Sequence, residues 1–307
     1  MKRAKISYFL IIFILFCGGL ISALIITQLY SSRNMDSPSE HIISIAAGCT
    51  EIIYAIGAGD ELAGVDQSSI NYALAGEVAF QAAPGQLGDY PKEIPNKTNV
   101  GTTSSLNLEL VASLEPSIVF SWSWATLANT ALENLGIRVF KINPQSIADV
   151  LNLTRTIGGI LGKSTEADGV CSEIEARINN VTQKLENVTE EKRPLVYYEL
   201  AGLGKTVGPG TITNEMISIA GGANLAANET LRYPTLTSEY IVAKNPDIIV
   251  VVSYGASIAT IKSRAGWGNI TAVQNDKIYQ IESGWATTSP RLVLGLEQFL
   301  KWFYPDL

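Results

Sequence analysis

Two stretches of this chain repeat one another, and the repeat limits the possible folds more than any other feature. Residues 107–121 read NLELVASLEPSIVFS and residues 237–251 read TSEYIVAKNPDIIVV. Glu109 matches Glu239, Pro116 matches Pro246, and Ile118-Val119 match Ile248-Ile249, each pair 130 residues apart. Each stretch reads as a short amphipathic helix stopped before a proline, then a continuous apolar, β-branched run. An apolar run of that kind beside a helix suits a parallel strand buried on both faces. Strands are expected at 117–121 and 247–253. A second echo lies upstream of each: Thr50-Glu51-Ile52-Ile53 then Gly57, and Asn214-Glu215-Met216-Ile217 then Gly221. Thr50 and Asn214 are suitable N-caps and the glycines suit helix C-termini. Two α/β lobes follow from the duplication.

The lobes differ in one place. Glu51 and Glu109 are farther apart than Glu215 and Glu239, and the surplus lies within residues 67–99, a stretch containing PGQLGDYPKEIP that reads as a loop. Between the lobes, residues 164–191 show a helical period through Val170, Ile174, Ile178, Val181, Leu185 and Val188, with Thr165 and Asp168 as a capping box and Pro194 beyond the end. At ~1.5 Å per residue this helix would be about 40 Å long, enough to run along both lobes and brace them. The expected organisation is an N-terminal lobe at 41–145, a connecting region at 146–192 containing that helix, and a C-terminal lobe at 193–307. The fold class is thus α/β: two lobes, each a short, mostly parallel sheet flanked by helices, joined by one long rigid inter-lobe helix and preceded by an N-terminal transmembrane helix.

That last element rests on residues 1–30. Lys2, Arg3 and Lys5 precede an apolar run from Ile6 to about Tyr30, and Arg33, Asp36 and Glu40 follow it. The run is long enough to span a bilayer, and the charge bias puts the N-terminus in the cytoplasm. A cleaved leader would have an apolar core of about 7–15 residues and an A-x-A site. A lipidated Cys17 would need a small residue where Phe16 stands. The expected localisation is therefore a single-pass cell-membrane protein with its body outside, held by a polar tether at 31–40. Six N-x-S/T sequons, at Asn96, Asn152, Asn180, Asn187, Asn228 and Asn269, fit a glycoprotein outside the cytoplasm. Three cysteines, Cys17, Cys49 and Cys171, make no disulfide framework. A Cys49–Cys171 bridge stays open beside the reading of buried thiols.

Composition removes several function classes. A net charge of −7 argues against nucleic-acid binding. The one histidine, His41, cannot build a His-rich metal site or place a triad base in a cleft. Gly204-Lys205-Thr206 imitates a P-loop ending, but Glu199 stands at the first required glycine; Gly57-Ala58-Gly59 fails as a dinucleotide fingerprint at Leu62. No enzyme reading survives, and no intrinsic cofactor or metal site is expected.

The chain resembles the substrate-binding proteins of ABC importers for metal chelates, the iron-siderophore, haem and cobalamin family, and within it the cobalamin binders most. The resemblance is carried by IISIAAGCTEIIYAIGAGDELAGV (42–65), NLELVASLEPSIVFSW (107–122), TVGPGTITNEMISIAGGANLAAN (206–228), YPTLTSEYIVAKNPDIIVV (233–251) and SPRLVLGLEQF (289–299). It implies a monomeric receptor that captures a chelate between its lobes, cobalamin or another corrinoid first and a ferric siderophore next. It also implies delivery to a permease dimer with its ATPase, with Glu109 and Glu239 at the positions of the family's permease-docking glutamates. An adhesion or chelate-sensing surface protein on the same scaffold is the other function class.

Ligands of open α/β sheets sit beyond the carboxyl ends of strands. There the sequence places Trp122 and Trp124 after one strand and Tyr254 after another. Tyr72 and Tyr90 come from the 67–99 stretch, and the resemblance adds Trp285, an aromatic that cobalamin binders carry before SPR. Arg291 reads either as a contact to a chelate anion or as a structural ion-pair partner. No second Arg or Lys clusters with it, which favours a ligand of little negative charge. Two departures from the cobalamin binders bear on ligand identity: Gly101–Ser105 replaces an aromatic expected before NLE, and residues 67–99 have no counterpart.

Overall fold

A computed structural model describes residues 41–76, 92–286 and 288–307, and residues 42–307 form one compact unit. The first half builds a five-stranded sheet in the order β3-β2-β1-β6-β7. Its strands are β1 (Ile42–Ile45), β2 (Leu62–Val65), β3 (Thr98–Asn99), β6 (Ile118–Trp122) and β7 (Val139–Ile142), all paired parallel. A small antiparallel hairpin, β4 (Gly101–Thr102) with β5 (Ser105–Leu106), precedes β6. The connections carry α1 (Ala47–Ala55), α2 (Gln67–Gly76), α3 (Leu108–Ser113) and α4 (Thr126–Asn134). The second half builds a four-stranded parallel sheet, β11-β10-β8-β9, from β8 (Leu195–Glu199), β9 (Ala223–Asn224), β10 (Ile248–Val252) and β11 (Ile278–Ile281). The run IIVVV of β10 is buried at all five positions, as a strand covered on both faces requires.

The 130-residue repeat reappears as backbone geometry. β6 and β10 occupy equivalent positions, and each follows a short helix: α3 before β6, α8 (Ser238–Lys244) before β10. Glu115 and Asn245, also 130 apart, both turn left-handed, with φ of 46° and 51°. Each stands before the proline that ends its helix, because proline offers no N–H and disfavours a helical residue ahead of it. The second echo holds too: Gly57 and Gly221 both have positive φ (75° and 81°) where α1 and α7 (Ile212–Ile219) turn back. The caps differ from expectation. Thr50 lies inside α1, where its hydroxyl bonds Ser44 and Ser69 at 2.8 Å each; Asn214 lies inside α7, whose cap is Thr211. Both helices begin about one turn earlier than the polar residue suggested, because burial against the sheets sets their starts.

Between the sheets stand two helices, α5 (Ile147–Ile160) and α6 (Ser164–Lys184), joined by a turn at Gly162 (φ 66°). The expected helix at 164–191 is thus shorter, about 31 Å at ~1.5 Å per residue. Leu185 and Val188 lie past its end. The capping box is not Thr165–Asp168, since Asp168 instead pairs with Arg155 at 3.2 Å; it is Ser146–Asp149 on α5. Val170, Ile174 and Val181 are buried as the period predicts. The 67–99 stretch, read as loop, opens with the ten residues of α2. Beyond β10 lie α9 (Ile258–Lys262) and α10 (Thr271–Gln274), and the chain ends in α11 (Leu292–Phe303), which packs on α6 and α7. A single apolar cluster runs from Ile42 and Phe120 of the first sheet, through Val150 and Ile174, to Val250 and Phe299 of the second half. Cys49 and Cys171 are buried free thiols.

Candidate functional site

The carboxyl ends of both sheets carry exposed aromatics, Trp124 beyond β6 and Tyr254 beyond β10. β6 ends in Trp122, and the turn after it stacks Trp124 on Trp122 with ring centroids 6.1 Å apart and planes 17° off parallel. Asn129 of α4 fixes this turn. Its Nδ2 donates to the Trp122 carbonyl at 2.9 Å, and its Oδ1 accepts from the Ser121 hydroxyl at 2.6 Å. Trp124 is left 62% exposed and Leu127, one helical step on, 89%. In the second half, Tyr254 follows β10 and is 59% exposed.

Tyr72 of α2 is half-buried. Burial raises the Tyr72 hydroxyl above the ordinary phenol range, and Tyr254, Glu51 and Glu282 push the same way. Tyr254 is raised likewise, by burial first and then by Tyr233. Tyr233, 48% exposed, is not among the aromatics that the sequence places after strands, although it opens the segment 233–251 that carries the resemblance. Its signal is the pairing of an exposed aromatic with a backbone that runs antiparallel beside residues 204–206. Trp285 is half-buried against the main core, with its carbonyl lying where a Cβ on Gly295 would fall, at 2.2 Å. Tyr90 lies outside the described residues.

Arg291 takes the second of its two readings. It is 5% exposed, and its guanidinium forks onto Glu51 of α1, Nε to Oε2 at 2.8 Å and Nη2 to Oε1 at 3.1 Å; the Ser289 hydroxyl also donates to Glu51. The pair joins α1 to the segment just ahead of α11. The physical reason is that a buried guanidinium with a carboxylate in bidentate reach is held by it, leaving no fork for a ligand anion. Glu215, the residue that echoes Glu51, reaches across in the opposite direction and accepts from the Ile147 backbone N–H at 2.8 Å, at the start of α5. Gly48 permits the close approach of α1 to the segment that carries Ser289 and Arg291, because a Cβ there would sit 1.9 Å from the Thr288 carbonyl oxygen.

One guanidinium serves two acids. Glu282 lies 4.0 Å from Arg291, and both its carboxyl oxygens are buried without a hydrogen-bond partner. Burial raises its pKa above the usual carboxylate range; Arg291 opposes the shift, Glu51 adds to it, and the Gly284 and Trp285 amides oppose it. At 4.0 Å the attraction does not offset desolvation. A native state that holds a proton the unfolded chain has released is stabilised by that group below the ordinary Glu range, and loses this stabilisation as pH rises through the raised value. Glu282→Gln keeps the shape and removes the ionisation. Urea titrations should show the variant gaining on the parent between pH 5 and pH 8. An equal difference at both pH values would mean that Glu282 titrates as an ordinary acid.

Glu109 and Glu239 stand in the first turns of α3 and α8, capped by Asn107 and Thr237, and both side chains are exposed. All six sequon asparagines are exposed. Glu199, which spoiled the P-loop, is fully buried; it takes Arg264 in a fork of two 2.7 Å bonds and accepts from the Tyr197 hydroxyl at 2.9 Å.

The fold is thus of the α/β class, two parallel sheets flanked by helices, with exposed aromatics at strand ends and a buried Glu51–Arg291 pair. The chain belongs to the periplasmic binding protein family, whose profile matches residues 42–284. An uncharacterised ABC transporter substrate-binding lipoprotein of Bacillus subtilis is 30% identical over 273 residues, covering 86% of this chain and 80% of the relative. A cobalamin-binding protein of Halobacterium salinarum is 28% identical over 291 residues, covering 88% and 71%. Among solved structures, the periplasmic vitamin B12 binding protein of Vibrio cholerae superposes with a TM-score of 0.69 at 22% identity, covering 86% of this chain and 96% of that one. A periplasmic haem-binding protein from Roseiflexus superposes with a TM-score of 0.71 at 22% identity, covering 87% and 98%. The family is one of binding proteins and not of enzymes.

The expected single-pass membrane localisation is corrected by these comparisons. The Bacillus relative is a lipoprotein, and no helix among the described residues is long and apolar enough to cross a membrane. A basic then apolar N-terminus is shared by membrane anchors and export leaders, so length and charge bias do not separate them. The apolar run and tether of residues 1–40, with Cys17, lie outside the described residues.

Proposed function

We propose that this protein is the substrate-binding component of an ABC importer for a metal chelate, a corrinoid such as cobalamin first and a ferric siderophore next. The reading rests on one observation above the others: exposed aromatics stand just past strand ends in both sheets, Trp124 after β6 and Tyr254 after β10. Tyr72, Tyr254, Trp122 and Trp124 are the proposed walls, with Trp285 beside them. Flat macrocycles gain from such surfaces through apolar burial and stacking. The relatives named for cobalamin and vitamin B12 binding support the ligand class. Glu109 and Glu239 are the proposed permease contacts, one on each lobe, as a permease dimer would require.

The continuous core and the Glu51–Arg291 pair argue for small lobe movement on binding, since opening would expose a buried ion pair as well as apolar surface. Titrating the purified protein with cobalamin, haem and ferric chelates should quench Trp fluorescence at micromolar concentrations for at least one of them. No quenching by any would remove the ligand class.

A further inference from the structure

Arg232 stands on the strand-end side of the second sheet, beside the residues that follow β8. It lies in the segment after β9 that runs beside residues 204–208, held by Gly208 N–H to the Arg232 carbonyl at 2.7 Å, Thr206 N–H to Pro234 at 3.0 Å and Leu236 N–H to Gly204 at 2.9 Å. Gly208 allows this approach, because a Cβ there would fall 2.4 Å from the Leu231 carbonyl oxygen. The backbone of Arg232 is therefore fixed, and its Nε would lie 3.8 Å from a Cβ added at Gly210, ahead of α7. The guanidinium stacks over Tyr233, 5.7 Å from the ring centroid, and its Nε is buried without a hydrogen-bond partner. Arg155, Arg177, Arg264 and Arg291 each hold a carboxylate. Among the described residues Arg138, Arg193 and Arg232 have no such ion pair, and Arg193 Nε is likewise buried without a partner. Arg138 and Arg193 precede β7 and β8, at the amino ends of the sheets, whereas Arg232 lies beside residues that follow β8, between the exposed Leu231 and Tyr233.

We propose that Arg232 is a specificity-determining contact that takes an anionic oxygen group, phosphate or carboxylate, at the edge of the bound chelate while the chelate's flat body lies against Tyr233 and Tyr254. This rests on the receptor reading above and sharpens it, because it replaces a preference for ligands of little negative charge with a demand for one placed anion. The chemistry is that of a planar guanidinium, which matches phosphate and carboxylate oxygens in a fork and stacks on an aromatic face at the same time. Stacking on Tyr233 orients the fork in advance, so little rotamer entropy is lost on binding.

The test titrates the full chain and its Arg232→Gln and Arg232→Lys variants with three probes. Cobalamin carries a phosphodiester, cobinamide is a corrinoid without that phosphate, and haem carries two propionates. Arg232→Gln should bind cobalamin, haem or both roughly ten-fold more weakly and leave cobinamide within about two-fold. Arg232→Lys should recover part of the loss, and added salt should weaken the parent more than the Gln variant. Loss confined to cobalamin names the phosphate as the recognised group, and loss confined to haem names the carboxylates; either supports the proposal. Equal weakening of all three probes assigns Arg232 to packing and overturns it, as does no change with any. If the unaltered protein binds none of these probes and no ferric chelate, the receptor reading fails and this inference fails with it; if it binds a ferric chelate alone, an Arg232→Gln variant with unchanged affinity for that chelate overturns the inference and leaves the receptor reading standing.

Discussion

Arg291→Ala is expected to cost about 3–5 kcal/mol of stability, seen as a lower denaturation midpoint at unchanged slope. Removing the guanidinium leaves Glu51, 6% exposed, without its ion-pair partner, and leaves Glu282 beside a second buried carboxyl with no cation between them. The loss would be a large part of the roughly 5–15 kcal/mol that holds an ordinary domain folded. Most of it is the penalty of stranded charge and not the worth of the pair, so replacing both ends should undo it. Glu51→Leu combined with Arg291→Met should recover the greater part of the stability lost by Arg291→Ala. A single variant that loses less than about 1 kcal/mol, the range of an exposed pair, would show that water reaches the site and that the lobes are not clamped there.

Reversing Glu109 and Glu239 together to lysine is expected to abolish uptake while ligand affinity stays unchanged. Both acids are exposed in the first turn of a capped helix, so neither reversal strands a buried group. The helix-dipole penalty of a first-turn lysine is about 0.3–1 kcal/mol each, too small to unfold the protein. Placing a cation against a partner's cation, by contrast, costs several kcal/mol at an interface, and here it would be placed twice. Each single reversal should leave reduced, measurable uptake, since the other lobe still docks. Transport into vesicles carrying the permease and ATPase, run beside ligand titration, separates the two effects. Weaker ligand binding by the double variant would put these acids in the pocket or the fold instead.

Much of this architecture could be read from local pattern. The 130-residue repeat identifies β6 and β10, the helices before them and the two glutamates, because helix, proline and apolar run are each governed by near neighbours. The left-handed turns at Glu115 and Asn245 show how closely the two copies agree, even where glutamate is a poor occupant of that backbone region. The α2 helix was missed because its ten residues, QSSINYALAG, adjoin a Gly- and Pro-bearing stretch that dominates the reading. The end of α6 was misplaced because Leu185 and Val188 keep the apolar period after the helical hydrogen bonds have stopped.

The site was legible only in part. Trp122, Trp124 and Tyr254 follow apolar strands, so the rule that ligands sit beyond strand ends finds them from the chain alone. Tyr233 and Arg232 follow no such strand; they arrive through pairing with residues 204–208, which is decided by tertiary approach. Arg291 carried two readings until Glu51, 240 residues away, was seen to hold it. By itself, then, the sequence determined two copies of an α/β unit, the acids they share and the aromatic ends of their strands, because these depend on periodicity and capping over a few residues. Which buried charges are spent on each other, and which described arginines hold no carboxylate, was decided only by the tertiary structure, since ion pairing depends on distance in space and desolvation, and neither is written in spacing along the chain.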